Sequence, residues 1–196
     1  MHTTEGYPGP HGRGAGRAGC DVQDPDPRTL TRALQSDLAA FEDLVRLYQA
    51  EVWRYAYHLT GNRATAEDVT QEAFLRAFRF LRSFRGDAKF SSWLLRIARN
   101  CSMDALRRNR NLASLDAPVV AKTSDPSARA ELLAAVRALS TGHREPFLLV
   151  EVFGLSYQEA ADVLQVRVGT VKSRMHRARQ ALIRQLTDAE EVAGEV

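Results

Sequence analysis

Cationic side chains that can contact nucleic acid are concentrated between residues 167 and 184, a stretch without an acidic residue. Residues near its start combine guanidinium, ammonium and hydroxyl donors: Lys172, Ser173, Arg174 and Arg177. An arginine fork suits guanine because it donates to O6 and N7 together, and lysine suits phosphate oxygens. These residue types therefore favour recognition of base edges and phosphates in duplex DNA.

Two helices joined by a tight turn would position these donors. Gly154 is expected to end a preceding helix in the left-handed conformation. Ser156 and Glu159 form an S-x-x-E capping box, which predicts a new helix from Tyr157. Residues 165–168 are then expected to form the turn.

The second helix is predicted to open at Gly169 and Thr170. Apolar residues recur along it at helical spacing: Val171, Met175, Ala178 and Leu182. The pattern is typical of a helix-turn-helix whose second helix enters the major groove with its first turns leading. A charge run alone would favour a solvated basic helix, but the capping box, the turn and the absence of acids favour DNA binding.

Composition limits the class of protein. The chain has 196 residues, 44% of them hydrophobic, and a net charge of +3, so it has room for one large domain or two small ones. No signal-like or membrane-spanning apolar run is present, so neither export nor membrane insertion is expected. Cys20 and Cys101 lack ligand-like neighbours, which argues against a disulfide framework or a zinc site and fits a reduced cytoplasm.

The N-terminal half is predicted to be helical after a tail. Residues 1–28 are rich in Gly, Pro, His and Arg, so disorder is expected, with contact to DNA or a regulator as the alternative. A helical pattern runs from Leu30 to Leu59. Thr65 and Asp68 resemble a looser capping box, which predicts a helix through about Leu81. That helix carries a second, polar face around Leu75, which suits either solvent or a partner.

Residues 83–90 are expected to form a loop, with Gly86 and Asp87 at its turn, before a basic helix over 91–108. Aromatic residues flank this helix: Phe84, Phe90 and Trp93. They suit stacking on single-stranded bases, although packing in the core is an equally good interpretation of each.

The fold class predicted is all-α, with two small helical domains joined by a flexible linker and a helix-turn-helix in the C-terminal one. The expected divisions are a tail over 1–28, a first domain over 29–110, a linker over 111–128, a second domain over 129–187 and an acidic tail over 188–196. Pro118 and Pro126 mark the linker.

The chain resembles bacterial sigma factors of the extracytoplasmic-function (ECF) group, which are built of domains called sigma-2 and sigma-4. The resemblance covers roughly residues 30–186. It lies in AEDVTQEAFLRAF (66–78), SFRGDAKFSSWLLRIARN (83–100), MDALRRNR (103–110) and GLSYQEAADVLQVRVGTVKSRMHRAR (154–179). It implies an alternative sigma factor that binds core RNA polymerase, directs it to promoters and promotes their opening. No catalysis, cofactor or metal is implied.

The resemblance also implies roles for particular residues. The core-binding face comprises Asp68, Gln71, Glu72 and Leu75. The minus-ten surface comprises Phe84, Gly86, Asp87, Lys89, Arg96, Arg99, Asn100, Arg107 and Arg108. The minus-thirty-five face comprises Thr170, Lys172, Ser173, Arg174, His176 and Arg177. Relatives are usually held inactive by an anti-sigma factor that covers these surfaces, so such a partner is expected, with membrane contact only through it.

Two other classes of protein share some of these features. A helix-turn-helix transcriptional regulator would bind DNA without polymerase, and would need neither the polar face of 68–75 nor the loop of 83–90. An enzyme fused to a DNA-binding domain is disfavoured because His58, His143 and His176 form no recognisable catalytic constellation.

Overall fold

The computed structural model describes residues 24–113 and 134–194, and all regular structure in these ranges is helical. The N-terminal domain contains α1 (Pro27–Leu34), α2 (Leu38–Thr60), α3 (Arg63–Phe80), a 3₁₀ turn (Leu81–Ser83) and α4 (Phe90–Ala113). In the C-terminal domain residues 134–138 are helical, followed by α5 (Thr141–Phe147), a π-helical turn (Leu148–Val152), α6 (Tyr157–Leu164) and α7 (Val168–Gly194). The all-α prediction is confirmed.

Capping residues explain where the N-terminal helices begin. Asp37 starts α2 by accepting from the backbone N–H of Ala40 at 3.1 Å, so the helical stretch predicted from Leu30 to Leu59 is broken, with Ser36 left-handed at φ +71°. The predicted Thr65–Asp68 capping box is wrong. Asn62 caps α3 instead, accepting from the N–H of Thr65 at 2.9 Å.

Helices extend into three of the predicted divisions, and parts of the division lie outside the described residues. Helix α1 begins at Pro27, inside the predicted N-terminal tail, α4 continues to Ala113, into the predicted linker, and α7 continues to Gly194, through most of the predicted acidic tail. Residues 1–23, with Cys20, and 114–133, with most of the linker, lie outside the described residues. Within 24–113 and 134–194, no helix is both long enough and apolar enough to cross a bilayer.

The core of the N-terminal domain lies where α4 packs against both α2 and α3. Its largest fully buried side chains include Leu44, Tyr48, Tyr55, Leu94 and Leu95. At the end of the core the rings of Phe84, Phe90 and Trp93 lie with 5.5 Å between the centroids of each pair. This aromatic cluster supports the 84–89 loop that precedes α4.

The two domains pack directly on each other, which the sequence analysis did not foresee. Helix α4 contacts α6, and the rings of Tyr55 and Phe153 meet edge to face across the boundary with their centroids 5.5 Å apart. Arg144 reaches from α5 to the carbonyl oxygen of Leu59 at 3.5 Å. The buried residues of both domains therefore form one continuous apolar cluster.

Candidate polymerase and promoter interfaces

The capping box predicted before α6 is confirmed in both directions. Glu159 donates its backbone N–H to Ser156 Oγ at 3.2 Å, and Ser156 donates its own N–H to Glu159 Oε2 at 2.7 Å. Gly154 ends the preceding segment with φ +70°, as predicted. Gln165 closes α6 in the left-handed conformation, and α7 begins at Val168, one residue before the predicted start.

Helix α7 is held by the predicted apolar stripe. Its buried residues are Val171, Met175, Ala178 and Leu182. On the minus-thirty-five face Lys172, Ser173, His176 and Arg177 are exposed, whereas Thr170 and Arg174 are half-buried. The exposed donors lie in the first turns of a helix that follows a tight turn, which is the arrangement that reads base edges in a major groove.

Arg179 has a different role from the one suggested by its place in a basic run. Its guanidinium donates to Glu151 in the π-helical turn, and this hydrogen bond raises the pKa of Arg179. The side chain therefore joins α7 to the π-helical turn, while about half of it stays exposed to solvent. The sequence does not signal this pair, because 28 positions separate its members.

The core-binding face lies along an exposed ridge of α3. Asp68, Gln71 and Leu75 are exposed and Glu72 is half-buried. An apolar groove of about 540 Å³ runs between this ridge and α2 on one side, and a polar pocket of about 350 Å³ separates it from α4 on the other. Leu75 is 55% exposed, and Leu38 and Phe78 on the same groove are also exposed, so the apolar area here is contiguous rather than scattered.

Arg76 connects the core-binding face to α4. Its guanidinium contacts Glu72 at 2.6 Å and Asp104 at 3.2 Å, and Asp104 also contacts Arg107 at 2.8 Å. The hydrogen bond to Glu72 is the main cause of the raised pKa of Arg76. This network fixes the orientation of the Glu72 carboxylate, and the sequence gives no sign of the part played by Arg76 because its partner on α4 is distant in sequence.

The loop before α4 encloses part of the minus-ten surface. A cavity of about 270 Å³ is lined by residues 83–88 together with Trp93 and Arg96. Gly86 forms the predicted turn with φ +77°. Phe84 is half-buried against Phe90 and Trp93, so both of the roles considered for these aromatics, core packing and a surface for a base, remain compatible with its position.

The other members of the minus-ten surface lie outside this cavity. Asn100, Arg107 and Arg108 are exposed along α4. Lys89 and Arg99 instead contact acidic residues of the C-terminal domain, Glu159 at 2.9 Å and Glu145 at 2.8 Å. The structure thus brings together only part of the set, and it adds Arg85 and Trp93, which share the cavity.

Two further ionisable side chains, Cys101 and His58, belong to the packing. Burial raises the pKa of the Cys101 thiol to about 11, so this cysteine is an inert core residue. Burial lowers the pKa of His58, with the cations Arg137, Arg54 and Arg144 adding to the effect. Across the described residues there is no group of three or more His, Cys, Asp and Glu side chains with the geometry to hold a metal ion.

Comparisons with known proteins agree with the resemblance in the sequence. The family profile for Sigma-70 region 2 matches residues 44–112, and that for Sigma-70, region 4 matches residues 129–182. The ECF RNA polymerase sigma factor SigW of Bacillus subtilis is 33% identical over 181 residues, covering 82% of this chain and 96% of its own. SigE of Mycolicibacterium smegmatis, also an ECF RNA polymerase sigma factor, is 36% identical over 160 residues, covering 76% of this chain and 62% of its own.

Two solved structures share the fold. CnrH, in complex with the cytosolic domain of CnrY, has a TM-score of 0.65 at 30% identity, covering 83% of this chain and 96% of CnrH. The sigma factor RpoE of Bartonella quintana, in complex with the anti-sigma factor NepR, has a TM-score of 0.64 at 27% identity, covering 75% of this chain and 96% of RpoE. The chain belongs to the ECF group of the sigma-70 family. It is an alternative sigma factor, a non-catalytic factor of transcription initiation.

Proposed function

We propose that the three surfaces divide the work of initiation among core polymerase, the minus-ten element and the minus-thirty-five element. The domains proposed to carry them are sigma-2 over 29–110 and sigma-4 over 129–187, with 1–28, 111–128 and 188–196 as connecting or terminal segments. The observation that carries the proposal is the exposed ridge of α3. A helix-turn-helix regulator has no need of a polar face with an exposed leucine flanked by an apolar groove.

The core-binding face is proposed to contact a helical partner surface of core polymerase. Carboxylates of Asp68 and Glu72 attract basic side chains, and Gln71 supplies an amide that both donates and accepts. Leu75 and the neighbouring groove supply apolar area, whose removal from water stabilises the complex. Arg76 holds the carboxylate of Glu72 in place before the partner arrives.

The minus-ten surface is proposed to capture a base of the opened strand. Melting costs about 1.4 kcal/mol of stacking per base-pair step, so the cost must be offset by contacts made only to the unstacked strand. A cavity lined by Phe84, Trp93 and the turn at Gly86 suits a base extruded from the stack. The exposed arginines of α4 would attract the flanking phosphates without reading sequence.

The minus-thirty-five face is proposed to read the major groove of duplex DNA through the first turns of α7. Lys172, Ser173 and Arg177 are exposed there. Neither reader need bind DNA tightly alone, because two weak sites on one chain gain from effective concentration. The protein without polymerase is therefore expected to bind promoter duplex weakly, and binding should weaken steeply with salt.

An anti-sigma factor is the proposed regulator, since the solved relatives CnrH and RpoE were captured with CnrY and with the anti-sigma factor NepR. Its target would include the apolar groove beside Leu75, which has the size and character to accept an amphipathic helix. The proposed location of the protein is the cytoplasm, where core polymerase and promoter DNA are found.

The test is run-off transcription from genomic promoter fragments with purified core polymerase. Wild type is expected to start transcription at defined sites, and the variant Asp68→Ala/Gln71→Ala/Glu72→Ala is expected to lose it. The control Glu42→Ala/Asp43→Ala removes the same number of carboxylates from exposed positions of α2 that line neither groove nor pocket. Tight promoter binding by the protein alone, without specific initiation, would instead favour the regulator.

A further inference from the structure

Arg179 on α7 is held by two other elements of the C-terminal domain. Its guanidinium donates to Glu151 Oε1 in the π-helical turn, 28 positions earlier in the chain. A hydrogen bond to the side chain of Tyr157, the first residue of α6, also contributes to the raised pKa of Arg179, after the larger effect of Glu151. One side chain therefore ties α7 to both of the segments that precede it.

The place of Arg179 along α7 is one at which a cation would be expected to face DNA. At about 3.6 residues per turn, Arg179 lies on the same side of the helix as Lys172 and His176, two turns beyond Lys172. Both of those residues belong to the minus-thirty-five face and are exposed. The buried stripe headed by Val171 flanks Arg179 on its other side. Arg179 thus lies at the edge between the buried stripe and the face that would meet DNA.

Glu151 is carried on a segment that the core fixes in place. The backbone N–H of Phe153 donates to the carbonyl oxygen of Leu148 at 3.0 Å, which is the hydrogen-bond spacing of a π-helix. Leu148 and Phe153, at the two ends of this turn, are buried. The side chain of Glu151 is 23% exposed, against 51% for that of Arg179. The carboxylate is therefore the more firmly held member of the pair.

The buried stripe alone defines the rotation of α7 about its axis only loosely. Burial of apolar area has no preferred direction. Met175, in the middle of the stripe, has an adaptable side chain. A charge-assisted hydrogen bond, in contrast, requires a narrow range of distance and angle between its donor and acceptor. The bonds made by Arg179 therefore set a rotation that the packing leaves less defined.

The rotation of α7 matters for reading bases. Side-chain tips lie about 5–6 Å from a helix axis, so a rotation of about 20° moves them by about 2 Å. An arginine donates to O6 and N7 of guanine only when these atoms lie within about 2.7–3.2 Å. Such a rotation would withdraw Arg177 from a base edge, whereas contacts to phosphates, which carry no sequence information, would persist.

We propose that Arg179 and Glu151 are positioning residues of the minus-thirty-five face. They hold α7 at the rotation in which Lys172, Ser173 and Arg177 meet the major groove, and neither of them needs to touch DNA. This role rests on the proposed function, because it takes those three donors as the residues that read the minus-thirty-five element. It also explains why an acidic residue lies against a basic helix of a DNA-binding domain.

The test uses the full chain assembled with core polymerase and compares wild type with Glu151→Leu. Leucine suits a helix but has no acceptor for the guanidinium. The measurement is fluorescence anisotropy of a labelled promoter duplex with an intact or a scrambled minus-thirty-five element. Removal of an acid should by charge alone tighten binding to DNA. Positioning instead predicts binding about tenfold weaker to the intact element, and within about twofold of wild type to the scrambled one.

Arg179→Met should show the same loss of affinity for the intact element. The double variant Glu151→Leu/Arg179→Met should be no weaker than either single variant, because the two residues act through one bond. On the scrambled element, the slope of log affinity against log salt should equal that of wild type, whereas loss of a phosphate contact would reduce it by about one. Additive losses or a reduced slope would make Arg179 a DNA contact and overturn the proposal, and so would unchanged or tighter binding by Glu151→Leu.

Asp162→Asn is the matched control, since it removes an acid from the same domain. Asp162 accepts from Gln158 within α6 at 3.1 Å, a contact that asparagine can retain. This variant should bind both promoters at least as tightly as wild type, and a loss equal to that of Glu151→Leu would overturn the proposal. Affinities are compared at equal folded fraction, measured by circular dichroism. If Glu151→Leu is unfolded, Glu151→Gln decides, with an expected loss of about threefold because a neutral acceptor holds a guanidinium less strongly.

The two proposals fail in distinguishable ways. If wild type in the polymerase complex bound the intact and the scrambled element equally, the assignment of the minus-thirty-five face would be rejected. If wild type distinguished the two elements and the variants Glu151→Leu and Arg179→Met did so equally well, only the positioning role would be rejected.

Discussion

The rings of Tyr55 and Phe153 meet edge to face at the boundary between the domains, with a centroid distance of 5.5 Å. Tyr55 is fully buried and Phe153 is 1% exposed. The Tyr55 hydroxyl has no hydrogen-bond partner among the described residues, and burial raises its pKa, with Glu145 adding to the effect. The apolar ring and the polar hydroxyl of this residue therefore act in opposite directions on stability.

Replacing Tyr55 and Phe153 in turn should separate the effect of the unpaired hydroxyl on stability from that of the packed rings. Tyr55→Phe is expected to raise the free energy of unfolding by about 1 kcal/mol, because it removes a buried polar group without a partner. Phe153→Ala should lower it by about 3–5 kcal/mol, since it leaves a cavity between the domains. Urea denaturation followed by circular dichroism measures both. Destabilisation by Tyr55→Phe would show that the hydroxyl has a partner after all.

Gly86 and Gly61 are a matched pair of positions for testing the role of the cavity lined by residues 83–88, Trp93 and Arg96. Both are left-handed, with φ of +77° and +69°, and a Cβ atom would meet nothing within 4 Å at either position. Alanine at either position should therefore lower the free energy of unfolding only by the cost of the left-handed backbone conformation, about 1–2 kcal/mol. Gly86→Ala is expected to reduce run-off transcription as well, because the turn shapes the cavity, whereas Gly61→Ala should retain it. If the two variants, compared at the same folded fraction, gave equal transcription, Gly86 would not belong to the minus-ten surface.

Sequence patterns were sufficient to predict the features that depend only on neighbouring residues. The capping box of Ser156 and Glu159, the left-handed Gly154 and the stripe headed by Val171 all depend on residues within a few positions, and all are confirmed. The predicted start of α3 was wrong because both Asn62 and Thr65 are suitable N-cap residues. The structure shows that Asn62 Oδ1 is the oxygen that accepts, from the backbone N–H of Thr65.

The packing of the domains was not predictable in the same way. A glutamate is rarely buried, so nothing in the sequence around Glu145 indicates that it lies behind α4 and contacts Arg99, 46 positions away. The same holds for Lys89 and Glu159. The sequence therefore identified the cations of the minus-ten surface, whereas their acidic partners depend on tertiary complementarity.

Arg177 and Arg184 test the direction in which α7 enters DNA. Both are exposed on the side of the helix away from the buried stripe, but Arg184 lies nearly two turns farther from its start. Arg177→Ala is expected to weaken binding of the polymerase complex to a cognate promoter by about 1–3 kcal/mol, and Arg184→Ala to have a much smaller effect. The measurement is promoter affinity with an intact and a scrambled minus-thirty-five element. The Arg177→Ala deficit should vanish on the scrambled one, and a deficit equal on both would limit Arg177 to phosphate contact.

His58 makes the stability of the packed domains depend on pH. Its pKa is lowered first by burial and then by Arg137, Arg54 and Arg144, which surround it from α2 and from the C-terminal domain. The unfolded chain therefore takes up the proton first, at the ordinary histidine pKa of about 6.5. The contribution of neutral His58 is complete above that pH and is lost progressively as the pH falls through the lowered value.

The melting temperature of wild type should consequently fall more steeply between pH 7.5 and pH 5.5, two buffer conditions set about one unit either side of the ordinary value, than that of His58→Gln. Glutamine cannot take up a proton in this range, so its profile reports all other groups. Because Arg137 and Arg144 belong to the C-terminal domain, protonation of His58 places like charges across the boundary. Parallel profiles for the two proteins would show that His58 is accessible enough to be protonated in the folded chain without cost.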